Sequence, residues 1–112
     1  MSLTLKEICE KQKAFDKKTF IREKPFYTDI NENNLQELEH LIVCLVGELG
    51  EFSNLTKKIV RGDKLFHEEK INLDEELVDI FIYLIKISNQ FDVDLEEGFL
   101  KKLEKNQERF GN

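Results

Sequence analysis

The sequence lacks tryptophan altogether and contains one proline, five glycines and two cysteines in 112 residues. Such a chain has few of the residues that form the many turns of a β-sandwich, and two isolated cysteines without a CxxC pair indicate reduced thiols. No apolar run approaches the roughly 20 residues of a membrane-spanning helix. Residues 1–20 carry charges throughout, unlike the apolar stretch of a signal peptide. We therefore expect a cytoplasmic protein with no membrane partner.

The charge balance is acidic, with 23 Asp and Glu against 17 Lys and Arg and a net charge of −6. This balance argues against nucleic acid as the main partner, since a phosphate backbone attracts basic surfaces. Apolar residues make up 40% of the chain, which is enough for one packed core. The length and the absence of repeats or linkers predict a single domain over residues 1–112.

Apolar residues recur with helical spacing in four stretches separated by short polar breaks. The predicted helices cover residues 5–20, 35–60, 73–90 and 95–110. Capping boxes are expected at the starts of the first, third and fourth helices, at Thr4 with Glu7, Asn72 with Glu75, and Asp94 with Glu97. Gly62 is placed to end the second helix in a left-handed conformation. The expected fold class is all-α, a four-helix bundle.

The third helix is apolar on nearly all sides, because Asp79 and Lys86 are the only charged residues between Leu77 and Ile87. A helix of this kind is buried on several faces. A four-helix domain of this size cannot easily surround one helix, so we expect burial against a second subunit. The alternative is a central helix within a monomer.

Four carboxylates lie in apolar positions of the second and third helices. At 100° per residue, Glu48 falls in the middle of the apolar stripe, and Glu51 follows one turn later near its edge. Glu76 shares a face with apolar residues of the third helix, and Asp79 follows one turn later. Both helices therefore direct a pair of acids toward the core.

Buried carboxylates destabilise a fold unless they are paired or bound to a metal. Four converging acids supply only oxygen, which suits Mg²⁺, Mn²⁺ or Ca²⁺ better than zinc. Gly47 and Gly50 flank the first acid pair, where a ligand or another helix could approach closely. The alternative interpretations are solvated helix faces for the acids and tight helix packing for the glycines.

The fourth helix presents Lys102, Asn106 and Arg109 on one face at i, i+4 and i+7. An ammonium, an amide and a guanidinium in line can hold phosphate oxygens. The alternative is a solvated helix end whose cations interact favourably with the helix dipole.

The acid pairs, Glu48-Leu-Gly-Glu51 and Glu76-Leu-Val-Asp79, resemble the ExxE…ExxD signature of the MazG-like all-α nucleoside triphosphate pyrophosphohydrolases. Three further segments resemble the small dCTP pyrophosphatase branch of this family, namely residues 79–84, 92–95 and 102–110. The resemblance extends from about residue 5 to residue 110 and is weakest over residues 21–34 and 61–71.

The resemblance implies a homodimer or homotetramer that hydrolyses nucleoside triphosphates to monophosphate and pyrophosphate with Mg²⁺, or with Mn²⁺ in its place. It implies four metal ligands, Glu48, Glu51, Glu76 and Asp79. It also implies phosphate contacts from Tyr83, Lys102, Asn106 and Arg109.

Two roles remain open within this resemblance. Either Glu48 or Glu51 is the expected general base for the attacking water. Tryptophans help to hold the base in the dCTP branch, and in their absence Phe20, Phe26 or Phe52 is expected to stack on it. The alternative function is a non-catalytic helical oligomer that binds a divalent metal or a nucleotide as a regulatory module.

Overall fold

The computed structural model describes residues 2–111, which form four helices and a short hairpin. The elements in chain order are α1 (Leu5–Lys17), β1 (Phe20–Ile21), β2 (Lys24–Pro25), α2 (Leu35–Val60), α3 (Phe66–Gln90) and α4 (Leu95–Phe110). The helical fold class and the number of helices are confirmed. None of the helices within residues 2–111 is both long and apolar enough to cross a lipid bilayer.

Helix ends follow their local signals closely in three places. Thr4 Oγ1 accepts a hydrogen bond from the Glu7 amide at 3.1 Å, and the Glu7 carboxylate accepts from the Thr4 amide at 3.0 Å. The Asp94 side chain accepts from the Glu97 amide at 3.0 Å at the start of α4. Gly62 follows α2 with a φ of +88°, the left-handed geometry that glycine adopts without a steric penalty. These ends were predicted correctly.

Two boundaries were predicted wrongly. Helix α1 ends at Lys17 and not at residue 20, because the chain turns back into an antiparallel hairpin. The two turn residues, Arg22 and Glu23, both have positive φ, as a two-residue type I′ turn requires. Helix α3 begins at Phe66, so Asn72 lies inside it and donates to the Glu69 carboxylate at 3.0 Å instead of capping.

The longest packing interface joins α2 and α3, while α1 packs on α3 and α4 packs mainly on α1. The predicted inner stripe of α2 is buried or half-buried throughout, at Leu38, Leu41, Leu45, Phe52, Leu55 and Ile59. Leu41 and Ile85 lie at the centre of the core, together with Ile30 from the loop before α2. This arrangement brings the acid-bearing faces of α2 and α3 toward each other.

The chain leaves much apolar surface uncovered. Its radius of gyration is 17.1 Å, whereas a compact domain of this length is expected near 13 Å. Helix α3 exposes a set of large apolar side chains, at Leu77, Val78, Phe81 and Leu84. Helix α4 exposes another set, at Phe99, Leu100, Leu103 and Phe110. Within residues 2–111, a single chain therefore does not enclose α3.

Candidate active site

Three carboxylates from α2 and α3 converge at the interface of these helices. Glu48, Glu76 and Asp79 each place one oxygen within 4.8 Å of the other two, and all three side chains are half-buried. The i, i+3 spacing of Glu76 and Asp79 on α3 directs both toward Glu48 of α2. The sequence predicts four converging acids, and the structure brings three of them together.

The environment of the cluster disfavours the charged carboxylates. Burial raises the pKa of Glu48, and the negative charges of Glu51 and Asp79 raise it further. Burial also raises the pKa of Glu76, with Glu51 and Glu48 as the neighbouring charges. Glu76 Oε2 is buried and has no hydrogen-bond partner among residues 2–111. An unpartnered acidic oxygen inside a like-charged group is destabilising unless a cation binds there.

Glu51 occupies a different position from the other three acids. It lies one turn after Glu48 on α2, is exposed to solvent, and is close enough to raise the pKa of both Glu48 and Glu76. The three clustered oxygens come from the other acids, and Glu51 borders them on the solvent side. The structure thus distinguishes an inner trio from an outer carboxylate.

The donor set fits a hard divalent cation. All donors in the inner trio are carboxylate oxygens, the ligand type that Mg²⁺ and Mn²⁺ prefer. The unpartnered Glu76 Oε2 provides an acceptor that no protein group satisfies. The trio is therefore a candidate metal centre.

A cavity of about 270 Å³ lies beside the cluster, between α2, α3 and the loop that follows α1. The cavity is lined by Ile21, Lys24, Pro25, Phe26, Thr28, Glu37, His40, Leu41, Cys44, Tyr83, Lys86 and Gln90. Tyr83 links the cavity to the carboxylate cluster, because it lines the cavity one turn after Asp79. Burial raises the pKa of the Tyr83 phenol, and the neighbouring Cys44 and the charges of Glu48 and Asp79 add to this effect. The phenol therefore stays a neutral hydrogen-bond donor near the carboxylates.

The three phenylalanines considered for base stacking occupy different environments. Phe26 lines the cavity, whereas Phe20 does not and is 58% exposed on β1. Phe52 is half-buried on the inner stripe of α2. Of the three phenylalanines, Phe26 is the one that lines the cavity, and Phe20 lies on the neighbouring hairpin.

The polar residues of α4 are not brought to the carboxylates by this chain's own packing. Lys102 and Arg109 are exposed, Asn106 is half-buried, and α4 packs mainly on α1, whereas the acids lie on α2 and α3. The Arg109 guanidinium lies over the ring of Phe110, 5.2 Å from its centroid. Within residues 2–111, α4 thus lies mainly against a helix that carries none of the four acids.

The glycines beside Glu48 do not mark a close approach within the chain. A Cβ added to Gly47 or Gly50 would meet no atom within 4 Å in residues 2–111. The alternative interpretation, tight helix packing at these positions, therefore finds no partner among residues 2–111.

A buried ion pair, not predicted from the sequence, joins α1 and α3. Lys86 Nζ lies 2.9 Å from Asp16 Oδ1, and Asp16 is completely buried. A signal existed, since Lys86 is one of two charges in an otherwise apolar stretch of α3. Its partner was not predictable, because Asp16 is separated from it by 70 residues in the chain.

Fold and site together define a helical protein with an all-oxygen candidate metal centre. Residues 36–111 match the MazG nucleotide pyrophosphohydrolase domain. The chain belongs to this family, which confirms the predicted class of enzyme, a nucleoside triphosphate pyrophosphohydrolase. The matched region contains α4 and α3 completely and α2 from its second residue.

Individual proteins show the same relationship. The chain is 36% identical over 79 residues to the Gene 37 protein of Mycobacterium phage L5, and the match covers 69% of each protein. It is 33% identical over 75 residues to dCTP pyrophosphatase 1 of Homo sapiens and 32% identical to that of Rattus norvegicus. These matches cover 63% of this chain and 44% of each dCTP pyrophosphatase. No solved structure matches the chain.

Proposed function

We propose that this protein hydrolyses nucleoside or deoxynucleoside triphosphates to the monophosphate and pyrophosphate, in nucleotide-pool control or clean-up, and that it requires Mg²⁺, with Mn²⁺ as a substitute. The observation that carries this proposal is the inner trio with its unpartnered Glu76 oxygen, located within the MazG-matching region. The similarity to dCTP pyrophosphatase 1 supports a deoxynucleotide as the substrate. We also propose that residues 1–112 act as one domain.

In this proposal Glu48, Glu76 and Asp79 hold the metal, and Glu51 completes the ligand set from the solvent side. Bound magnesium would supply positive charge that neutralises the phosphates and lowers the pKa of a water. An acidic protein needs such charge because the triphosphate is itself strongly anionic.

The proposed general base is a carboxylate oxygen at this centre that does not bind the metal, since a carboxylate that holds the metal through one oxygen still offers the other. Glu51 suits the role better than Glu48, because it is exposed and borders the inner trio. It accepts a proton from the water that attacks the α-phosphorus, the bond to the bridging oxygen breaks, and pyrophosphate leaves. Tyr83 donates a hydrogen bond to a phosphate oxygen from its position between the carboxylates and the cavity.

We further propose that the functional unit is a homodimer or homotetramer. The uncovered apolar side chains of α3 and α4 and the large radius of gyration support association. In such an assembly, Lys102, Asn106 and Arg109 contact phosphates held at the carboxylates of a neighbouring subunit, since their own helix packs mainly on α1.

A turnover assay tests the proposed function. The purified chain is incubated with each of the four dNTPs and NTPs, with Mg²⁺ or with EDTA. After the reaction is stopped, inorganic pyrophosphatase in excess Mg²⁺ converts any released pyrophosphate to phosphate, and the phosphate is measured. We expect Mg²⁺-dependent release of pyrophosphate and monophosphate, and none in EDTA. If no nucleotide is hydrolysed although Mg²⁺ or a nucleotide raises the melting temperature, the regulatory binding module is the better interpretation.

A further inference from the structure

The buried pair of Lys86 and Asp16 is placed at the wall of the cavity. Asp16 Oδ1 accepts from Lys86 Nζ at 2.9 Å and from Gln12 Nε2 at 3.0 Å. Lys86 is only 9% exposed, yet it lines the cavity beside the candidate metal centre. A buried ion pair gives little net stability compared with apolar residues, so stability alone does not explain its presence.

Most of the hydrogen-bonding capacity of Lys86 is unused. An ammonium has three donors, and Asp16 accepts the one hydrogen bond that Lys86 makes within residues 2–111. The ammonium lies 4.6 Å from the centroid of the Phe26 ring and 5.9 Å from that of Tyr83. Two N–H groups of this cavity-lining ammonium thus remain without a partner in residues 2–111.

The neighbouring amide of Gln90 fastens the loop before α2 to α3. Gln90 Nε2 donates to the Phe26 carbonyl at 3.0 Å, and Gln90 Oε1 accepts from the Thr28 amide at 3.1 Å. The Ile30 amide donates to the Gln90 carbonyl at 2.8 Å, which fastens the same loop to α3. These bonds hold Phe26 in the wall and leave one N–H of Gln90 without a partner in residues 2–111, beside the two of Lys86.

Charge and position indicate which part of a nucleotide meets Lys86. The charge of Asp16 balances that of Lys86, so the wall suits the uncharged nucleoside better than a phosphate. Asp79 and Lys86 are seven residues apart on α3, about 10 Å along the helix axis. A triphosphate held at the carboxylates therefore extends its nucleoside toward the cavity.

We propose, building on the pyrophosphohydrolase function above, that Lys86 donates a hydrogen bond to a carbonyl oxygen of the nucleobase and so determines specificity. Cytosine, thymine, uracil and guanine carry such an oxygen, and adenine carries none. The Phe26 ring supplies an apolar surface for the base in the same cavity. Lys86 then favours the oxo-bearing bases over adenine.

The test removes both charges together. Lys86→Met alone would leave Asp16 buried without a partner, which would strongly destabilise the fold. The double variant Asp16→Asn/Lys86→Met avoids this, and Asp16→Asn/Lys86→Leu is a second neutral pair if the first does not fold. Lys70→Met is the matched control, because Lys70 is exposed on the same helix. Far-UV circular dichroism verifies that each variant folds.

Two readouts separate recognition from a structural effect. For dCTP, dTTP and dGTP, kcat/KM is expected to fall about ten- to a hundredfold in the double variant, mainly through KM, with little change for dATP. Inhibition by Mg²⁺-tripolyphosphate, which has no nucleoside, should remain as in the wild type. An equal loss with dATP, weaker tripolyphosphate inhibition, or no loss at all would overturn the proposal.

The same variants distinguish this inference from the proposed function. A wild-type protein that hydrolyses none of the four dNTPs and none of the four NTPs would refute the proposed function. Calorimetric binding of the same dNTPs would then still decide the role of Lys86, since the expected loss of affinity for oxo-bearing bases does not require turnover.

Discussion

The α2–α3 pair and helix α4 differ in how extensively they pack within one chain. Helices α2 and α3 pack along an extended interface and bury or half-bury the side chains that face each other, including the inner trio of acids. Helix α4 packs mainly on α1 and has no buried residue, although its apolar residues are large. Both regions are amphipathic, but α2 and α3 cover one apolar face of each other, whereas α4 buries no residue within residues 2–111.

This difference shows which parts of the site a single chain can assemble. The inner trio of acids comes together within one chain because α2 and α3, which carry these acids, pack on each other. The cations of α4 lie on a helix whose apolar face remains uncovered, as at Phe99, which is 59% exposed. Substitutions in each region can show whether catalysis requires the α2–α3 pair alone or also α4.

The largest effect is expected from Asp79→Asn, which removes a carboxylate from the inner trio. Loss of an outer-shell partner already costs a metal site 10- to 100-fold, so loss of a ligand should lower turnover by at least about a hundredfold. Without metal, the melting temperature should stay equal or rise, because one of the repelling charges is gone, and stabilisation by Mg²⁺ should shrink. Asp74→Asn, exposed on the same helix, is the control. Near wild-type turnover in Asp79→Asn would remove this residue from the centre.

Phe99→Glu should dissociate the proposed oligomer. A charge in an apolar interface costs several kcal/mol, so sedimentation velocity should show a shift toward the monomer. Val60→Glu, at the exposed end of α2, should leave the assembly intact. A wild-type chain that already sediments as a monomer at micromolar concentration would contradict the role proposed for α4.

Lys102→Ala should have a smaller effect, confined to the nucleotide. Loss of one charge-assisted phosphate contact costs about 1.5–3 kcal/mol, or roughly ten- to a hundredfold in kcat/KM. Asn106→Ala should cost less because its amide is neutral, and the two losses should not add if both contact one phosphate. Mg²⁺ binding without nucleotide should be unchanged in both variants. Lys101→Ala is the control, since Lys101 pairs with Glu97 at 2.8 Å. Wild-type kcat/KM in both Lys102→Ala and Asn106→Ala would contradict phosphate binding by α4 and indicate that this face is only solvated.

The smallest effect is a change in the pH dependence of stability. Because the pKa values of Glu48 and Glu76 lie above their ordinary value of 4.5, the folded state binds more protons than the unfolded chain just above that pH. Their contribution to the free energy of unfolding is present below pH 4.5 and is lost as pH rises through the raised values. Glu76→Gln should reduce this loss in urea unfolding with EDTA, and exposed Glu75→Gln should not. Parallel curves for wild type and Glu76→Gln would contradict the raised pKa.

The local features of the fold were predictable because their signals lie within a few residues of each other. The Thr4 and Asp94 caps, the Gly62 helix end and the apolar stripe of α2 each depend on contacts within one or two turns. The start of α3 was not predictable in this way, because Asn72 and Glu75 form a capping pattern that the longer helix overrides.

The sequence by itself determined the helical class, the family and the placement of Glu48, Glu76 and Asp79 on facing helices, since helical periodicity places acids spaced i, i+3 on one side of a helix. Only the tertiary structure decided that Glu51 borders the cluster from the solvent side, that Phe26 rather than Phe20 lines the cavity, and that Lys86 pairs with Asp16. These outcomes depend on how α1, its hairpin and α3 pack together. Contacts between residues distant in the chain leave no periodic signal, and so they become visible only when the elements are assembled in three dimensions.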